Sequence, residues 1–181
     1  MAVYFPNSPL AGEALFRAAD IKWQLDYEDV MTRPSAKQRD PGERAQIEEE
    51  GMREVRKKFP NSKWADLAAF RMLDNKLCGD WLAQSKCPEM ESALYEKYVS
   101  EHPQSPKAAE ALYLAAWRQS ALIEIYKTEG NAGRSSAARS KALALAQRVV
   151  AQYSQSDWAL RALRLSYLVE QNISTYGNTL E

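Results

Sequence analysis

The polar and apolar positions of this chain recur in register with one short phrase. Phe5-Pro6-Asn7-Ser8, Phe59-Pro60-Asn61-Ser62, His102-Pro103-Gln104-Ser105 and Tyr153-Ser154-Gln155-Ser156 are four versions of it. An alanine stands three residues after each serine (Ala11, Ala65, Ala108, Ala159), and another three later (Ala14, Ala68, Ala111, Ala162). The next column, Leu15, Ala69, Leu112 and Leu163, extends the same face. Upstream, Val55, Tyr98 and Val149 lie seven before the serine, Met52, Tyr95 and Ala146 ten before, and Gly51, Leu94 and Leu145 eleven before. Both sets have helical spacing. The phrase between them is a corner. Proline disfavours helix in the residue before it, Asn or Gln suits the turn, and serine suits the N-cap of the outgoing helix. The pattern predicts incoming helices (A) and outgoing helices (B) in antiparallel pairs, with small residues where backbones approach.

The B helices are expected over Pro9–Met31, Lys63–Gln84, Pro106–Lys127 and Asp157–Ser174. The first carries Leu10, Ala14, Leu15, Ala18, Ile21 and Leu25. The A helices are expected from Asp40-Pro41 to Lys58, from Cys87-Pro88 to Glu101, and from Ser136 to Gln152. Thr32–Gly42 and Glu129–Ser135 read as insertion loops, and Thr175–Glu181 as a frayed tail. In the A helix of the second repeat the acids come early and Arg53, Arg56, Lys57 and Lys58 late, which suits the helix dipole and offers the pairs Glu49–Arg53 and Glu54–Lys58.

Tandem helix pairs resemble tetratricopeptide-like repeats, best over Tyr95-Glu96-Lys97-Tyr98-Val99-Ser100-Glu101-His102-Pro103-Gln104-Ser105-Pro106-Lys107-Ala108. The likeness is to the repeats of bacterial envelope proteins, namely the lipoprotein subunit of the outer-membrane β-barrel assembly machinery and the Tol–Pal coordinator. The serines stand 54, 43 and 51 residues apart, longer than the familiar repeat of about 34 residues. The resemblance implies an all-α superhelix of antiparallel helix pairs over 1–181, with about four repeats. The first lacks its A helix, so the expectation is a fragment of a longer protein. It also implies a non-catalytic scaffold for other proteins or peptides, set in the periplasm, with a cytoplasmic location as the alternative. A weak homodimer through the open repeat ends is one option. A docking segment of a larger enzyme is the alternative function. In such repeats the A helices line the concave surface, so Arg53, Lys57, Glu96, Lys97, Gln147 and Arg148 are the expected groove residues, of mixed charge.

Composition narrows the partner. Lysine plus arginine and aspartate plus glutamate number 24 each, against the basic excess that nucleic-acid binding requires. No apolar run is long enough to span a bilayer. His102 is the only histidine and sits in the corner-aromatic column, so packing explains it. Neither a metal set nor a base-activated nucleophile has its residues, and no cofactor is expected. Trp64 and Trp158 share a column and should pack between helices, which leaves Trp23 and Trp81 as the expected exposed pair. Cys78 and Cys87 can form a disulfide in an oxidising compartment. If helix B runs on to Gln84, however, about 13 Å of helical rise separates them, so two buried thiols are expected.

Overall fold

A computed structural model describes residues 8–176. Among these the chain is all-α, with seven α-helices: α1 (Ala11–Thr32), α2 (Glu50–Lys58), α3 (Lys63–Arg71), α4 (Lys86–Glu101), α5 (Ala108–Thr128), α6 (Ala132–Gln152) and α7 (Asp157–Glu170). Two short 3-10 turns, Pro34–Lys37 and Asp74–Lys76, complete the elements. Contacts divide the chain into two compact units, one reaching Asp80 and taking in Ser105–Lys107, the other made of Trp81–Gln104 and the chain from Ala108 onward.

Helices α2, α4 and α6 end alike. Their C-cap residues Phe59, His102 and Tyr153 have φ/ψ of −128/56, −132/56 and −129/41, and each N–H reaches back four residues to Val55, Tyr98 or Val149. The corner serines behave less uniformly than the capping rule suggests. Ser62 caps α3, its Oγ accepting from the Ala65 N–H at 3.2 Å. Ser156 makes no side-chain cap, and its Oγ donates to the Tyr153 carbonyl at 2.7 Å. Ser62 makes the same backward bond to Phe59. Ser105 accepts from Lys107 at 3.1 Å. Each hydroxyl thus finds a backbone partner within its own corner, whether or not it caps. Of the first corner, Phe5, Pro6 and Asn7 lie outside the described residues.

The alanine columns are buried in every helix, apart from half-buried Ala14. In the first unit α1, α2 and α3 pack together around Phe16, Trp23, Val30, Met52, Val55 and Ala68. Gly12 is needed there, because a Cβ on it would lie 2.8 Å from the Trp64 ring. In the second unit α5 packs against α4, α6 and α7, and its buried residues face in every direction.

The structure corrects the expected elements at several places. Residues 40–49 do not form the start of a helix; α2 begins at Glu50. Long-range side-chain bonds hold that stretch open. Asn75 brackets Ile47, accepting from its N–H at 2.9 Å and donating to its carbonyl at 2.8 Å. The Arg44 guanidinium donates to the carbonyls of Ala36 (3.1 Å) and Leu77 (2.5 Å). Helix α3 stops at Arg71, well short of Gln84. Beyond it, Gly79 donates to Gln38 at 2.9 Å and lies so close to the first 3-10 turn that a Cβ would sit 2.4 Å from the Ala36 carbonyl. The expected loop over 129–135 shrinks, because Asn131 accepts from the Arg134 N–H and starts α6 at Ala132. Helix α7 ends at Glu170. Thr175 and Tyr176 are not frayed: Thr175 bonds to Ser120 at 2.7 Å and Tyr176 stacks on Trp81. The remainder of the expected tail lies outside the described residues.

Candidate functional site

The six expected groove residues are on α2, α4 and α6. In the first unit Arg53 and Lys57 sit one turn apart on α2, both exposed. Arg53 pairs with Glu49 at 2.7 Å, and nearby Glu54 pairs with Lys58 at 2.6 Å, so both expected pairs form. In the second unit half-buried Glu96 meets Lys141 of α6 at 2.7 Å and accepts from the Ser92 hydroxyl at 3.3 Å. Lys97 stands 3.8 Å from Glu101. Gln147 and Arg148 are exposed on α6, two turns beyond Lys141. Each unit therefore carries part of a polar, mixed-charge surface, and much of its charge is spent on its own neighbours.

The apolar surface is distributed differently, and here the sequence reading needs correction. Trp23, expected to be exposed, is 2% exposed, and its Nε1 donates to Asp74 Oδ2 at 3.2 Å. Helix α1 buries Phe16, Trp23 and Val30, seven apart and so on one side. Leu10, Ala14, Ala18, Ile21 and Leu25 fall on the opposite side at 100° per residue. Ile21 is 61% and Leu25 68% exposed. Both faces of α1 are apolar enough to be core, and packing on α2 and α3 selects the Trp23 face. Alongside the exposed stripe runs an open groove of about 480 Å³, lined by Ile21, Leu25, Tyr27, Glu28, Arg71 and Asp74 among others. Its wall is fixed by the Arg71–Asp20 ion pair at 2.6 Å. Lys22, held by Asp26 and Glu48 at 2.6 Å each, has its pKa raised by those two hydrogen bonds.

Helix α7 repeats the feature in the second unit. Ala159, Ala162, Leu165 and Val169 are buried, while Leu160, Leu163 and Tyr167 are 71, 52 and 59% exposed. Leu163 was expected to extend the buried column of Leu112. It does not, because no described element covers that side of α7. Arg161 and Arg164 flank the stripe, Arg161 lying over the Trp158 ring at 4.8 Å.

The other aromatic and polar groups pack against neighbouring helices. Trp64 meets Phe16 at 5.7 Å and Trp158 meets Tyr113 at 5.2 Å, the inter-helix packing their shared column predicts. His102 lies 4.9 Å from the Tyr98 ring. Trp81 is half-buried, and its Nε1 donates to Glu91 at 3.1 Å. Glu91, 1% exposed, pairs with Arg118 at 3.0 Å, and the guanidinium lies over the rings of Tyr95, Trp117 and Trp81. Glu89 accepts from both the Tyr126 hydroxyl (2.5 Å) and Arg134 (2.6 Å). Burial, and then the bond to Glu89, push the Tyr126 hydroxyl's pKa up. Such networks fix the register of α4, α5 and α6. Among the described residues no buried side-chain N or O lacks a partner, and no group of three or more His, Cys, Asp or Glu is placed to hold a metal ion.

Comparison with protein-family models, curated proteins and solved structures finds no match.

The cysteines also differ from the expected pair of thiols. Cys78 and Cys87 are both disulfide-bonded, and neither is a free thiol. The opposite expectation required helix to continue past Cys78. Because α3 stops at Arg71, and Leu82 and Ala83 have positive φ (49° and 54°), the stretch between the cysteines is turn rather than rod.

Proposed function

We propose that this chain is a non-catalytic scaffold that binds proteins through the exposed faces of its helices. The observation that carries this reading is the apolar stripe Leu160, Leu163 and Tyr167 on the outward side of α7, with its counterpart Ile21 and Leu25 on α1. Contiguous apolar surface on a folded domain marks an interaction site more often than scattered exposed residues do. The three matching corners at Phe59, His102 and Tyr153 support the tetratricopeptide-like superhelix as the architecture. The disulfide-bonded cysteines support an oxidising compartment, which favours the periplasm over the cytoplasm and fits assembly of a bacterial envelope complex. No helix among the described residues is long and apolar enough to cross a membrane. The polar columns, Arg53 and Lys57 in the first unit and Glu96, Lys97, Gln147 and Arg148 in the second, are weaker candidates. Exposed ion pairs there are worth about 0–1 kcal/mol each.

Photo-crosslinking residues placed singly at Leu25, Leu163, Arg53, Lys97 and Arg148 test the reading in cells that make the protein. Crosslinks to protein at positions 25 or 163 are expected. Crosslinks confined to the polar positions would transfer the function to the polar faces of the helices that carry them, and none at any position would refute a scaffold role.

A further inference from the structure

We infer that the outward face of α7 docks the outward face of α1 from a second copy of this chain, giving a head-to-tail association. The inference rests on the reading that these faces bind protein, and it names their occupant. The two stripes are of similar kind, and their helices differ in charge: α1 is acidic, whereas α7 balances Asp157 and Glu170 with Arg161 and Arg164. Helix α1 carries the acids Glu13, Asp20, Asp26, Glu28 and Asp29 against two bases, Arg17 and Lys22. Most of these are already engaged: Glu13 with Arg17, Asp20 with Arg71, and Asp26 with Lys22, while Asp29 pairs with Arg33. Glu28, one turn beyond Leu25 on the same side of the helix, has no ion-pair partner among the described residues. On α7 the counterpart is Arg164, beside Leu163 and between Leu160 and Tyr167. It too has no ion-pair partner among the described residues. Apolar burial would supply the attraction between the stripes, and the Glu28–Arg164 match would set the pairing.

Self-pairing of the α7 face is electrostatically poorer. A two-fold antiparallel alignment of the α7 stripes brings Arg164 close to its own copy at the centre and sets Asp157 against Glu170 at both ends. Like charges so placed disfavour the wrong pairing. Contact between two different faces leaves one of each free at the ends of the assembly, so growth is open-ended unless the rotation closes a ring.

Sedimentation velocity and light scattering over a range of protein concentrations test this with the wild-type chain, Leu25→Asp and Leu163→Asp, each first shown to keep the wild-type helical circular dichroism. Leu160→Ser stands in if Leu163→Asp misfolds. The wild type should rise in mass with concentration, past the dimer. Each variant alone should remain a monomer, since it has lost one of two complementary faces. Mixing the two variants should restore association but stop at a one-to-one dimer, each partner supplying its intact face. Glu28→Arg and Arg164→Glu should each weaken wild-type association several-fold, and the double swap should recover most of it. A wild type that stays monomeric, a single variant that still self-associates, or a mixture that stays monomeric would each overturn the inference. A monomeric wild type that is nonetheless crosslinked to a different protein at position 25 or 163 would leave the scaffold role standing and remove the second copy as its partner.

Discussion

Helices α5 and α7 carry the same columns of small residues and meet opposite fates on their outer sides. Ala108 and Ala111 in α5, and Ala159 and Ala162 in α7, are all buried. Leu112 and Leu163 then stand in one sequence column, yet Leu112 is 0% exposed and Leu163 half in water. The difference lies in their neighbours. Helix α5 packs on α4, α6 and α7, whereas α7 packs mainly on α5 and α6 among the described residues. An apolar side chain at a repeated position is therefore core when a third helix covers it and exposed when none does. The residue is the same, and its role is assigned by the packing.

Ways to break or sharpen this contrast can be ordered by expected effect. The largest should come from the charged centre of the α4–α5 contact. Arg118→Ala removes the partner of a fully buried carboxylate and should cost about 3–5 kcal/mol in urea unfolding, although ion pairs on the outside of the molecule count for little. Next is the pair of leucines: Leu112→Ala should cost about 2–5 kcal/mol, and Leu163→Ala within about 0.5 kcal/mol. Equal losses would place Leu163 in the core. Overpacking is smaller. Ala108→Leu, or Ala65→Leu in the first unit, should lose about 1–3 kcal/mol, while Ala144→Leu on the exposed side of α6 should be nearly neutral. The smallest effect is in the pH dependence. Tyr126 has its pKa raised on folding by burial and by Glu89, so above the ordinary tyrosine value of about 10 the unfolded chain holds fewer protons than the folded one. Stability should fall as pH rises through that range, and Tyr126→Phe should flatten the decline; an unchanged slope would assign the loss to other groups.

Much of the fold is legible in the sequence because its signals are local. The aromatic residue before each corner stops a helix through its own backbone, and Phe59, His102 and Tyr153 take nearly the same dihedrals. Helical spacing of alanine, valine and tyrosine identifies the buried sides of α2 to α7. What the sequence conceals depends on distant partners. Residues 40–49 have helical composition but are held open by Asn75 and Arg44, whose bonds span about thirty positions. The state of Cys78 turns on where α3 ends, and beyond that end Gly79 fits closely against Ala36. For the candidate site, the polar residues Arg53, Glu96 and Lys97 can be picked out by column, but not that Glu49, Lys141 and Glu101 occupy their charges. The apolar stripes were hidden for a simpler reason. Helix α1 has two apolar sides, and nothing within it distinguishes Trp23 from Leu25 as the residue to bury.

The most direct test of the central claim is the melting temperature as a function of protein concentration, for the wild type and for Leu163→Asp. If the α7 stripe is a binding face, association stabilises the folded chain by mass action. The wild-type Tm should then climb with concentration, the variant's should stay flat, and the two should coincide at high dilution. A variant that melts below the wild type at every concentration by the same margin would show that Leu163 belongs to the core, contradicting the account.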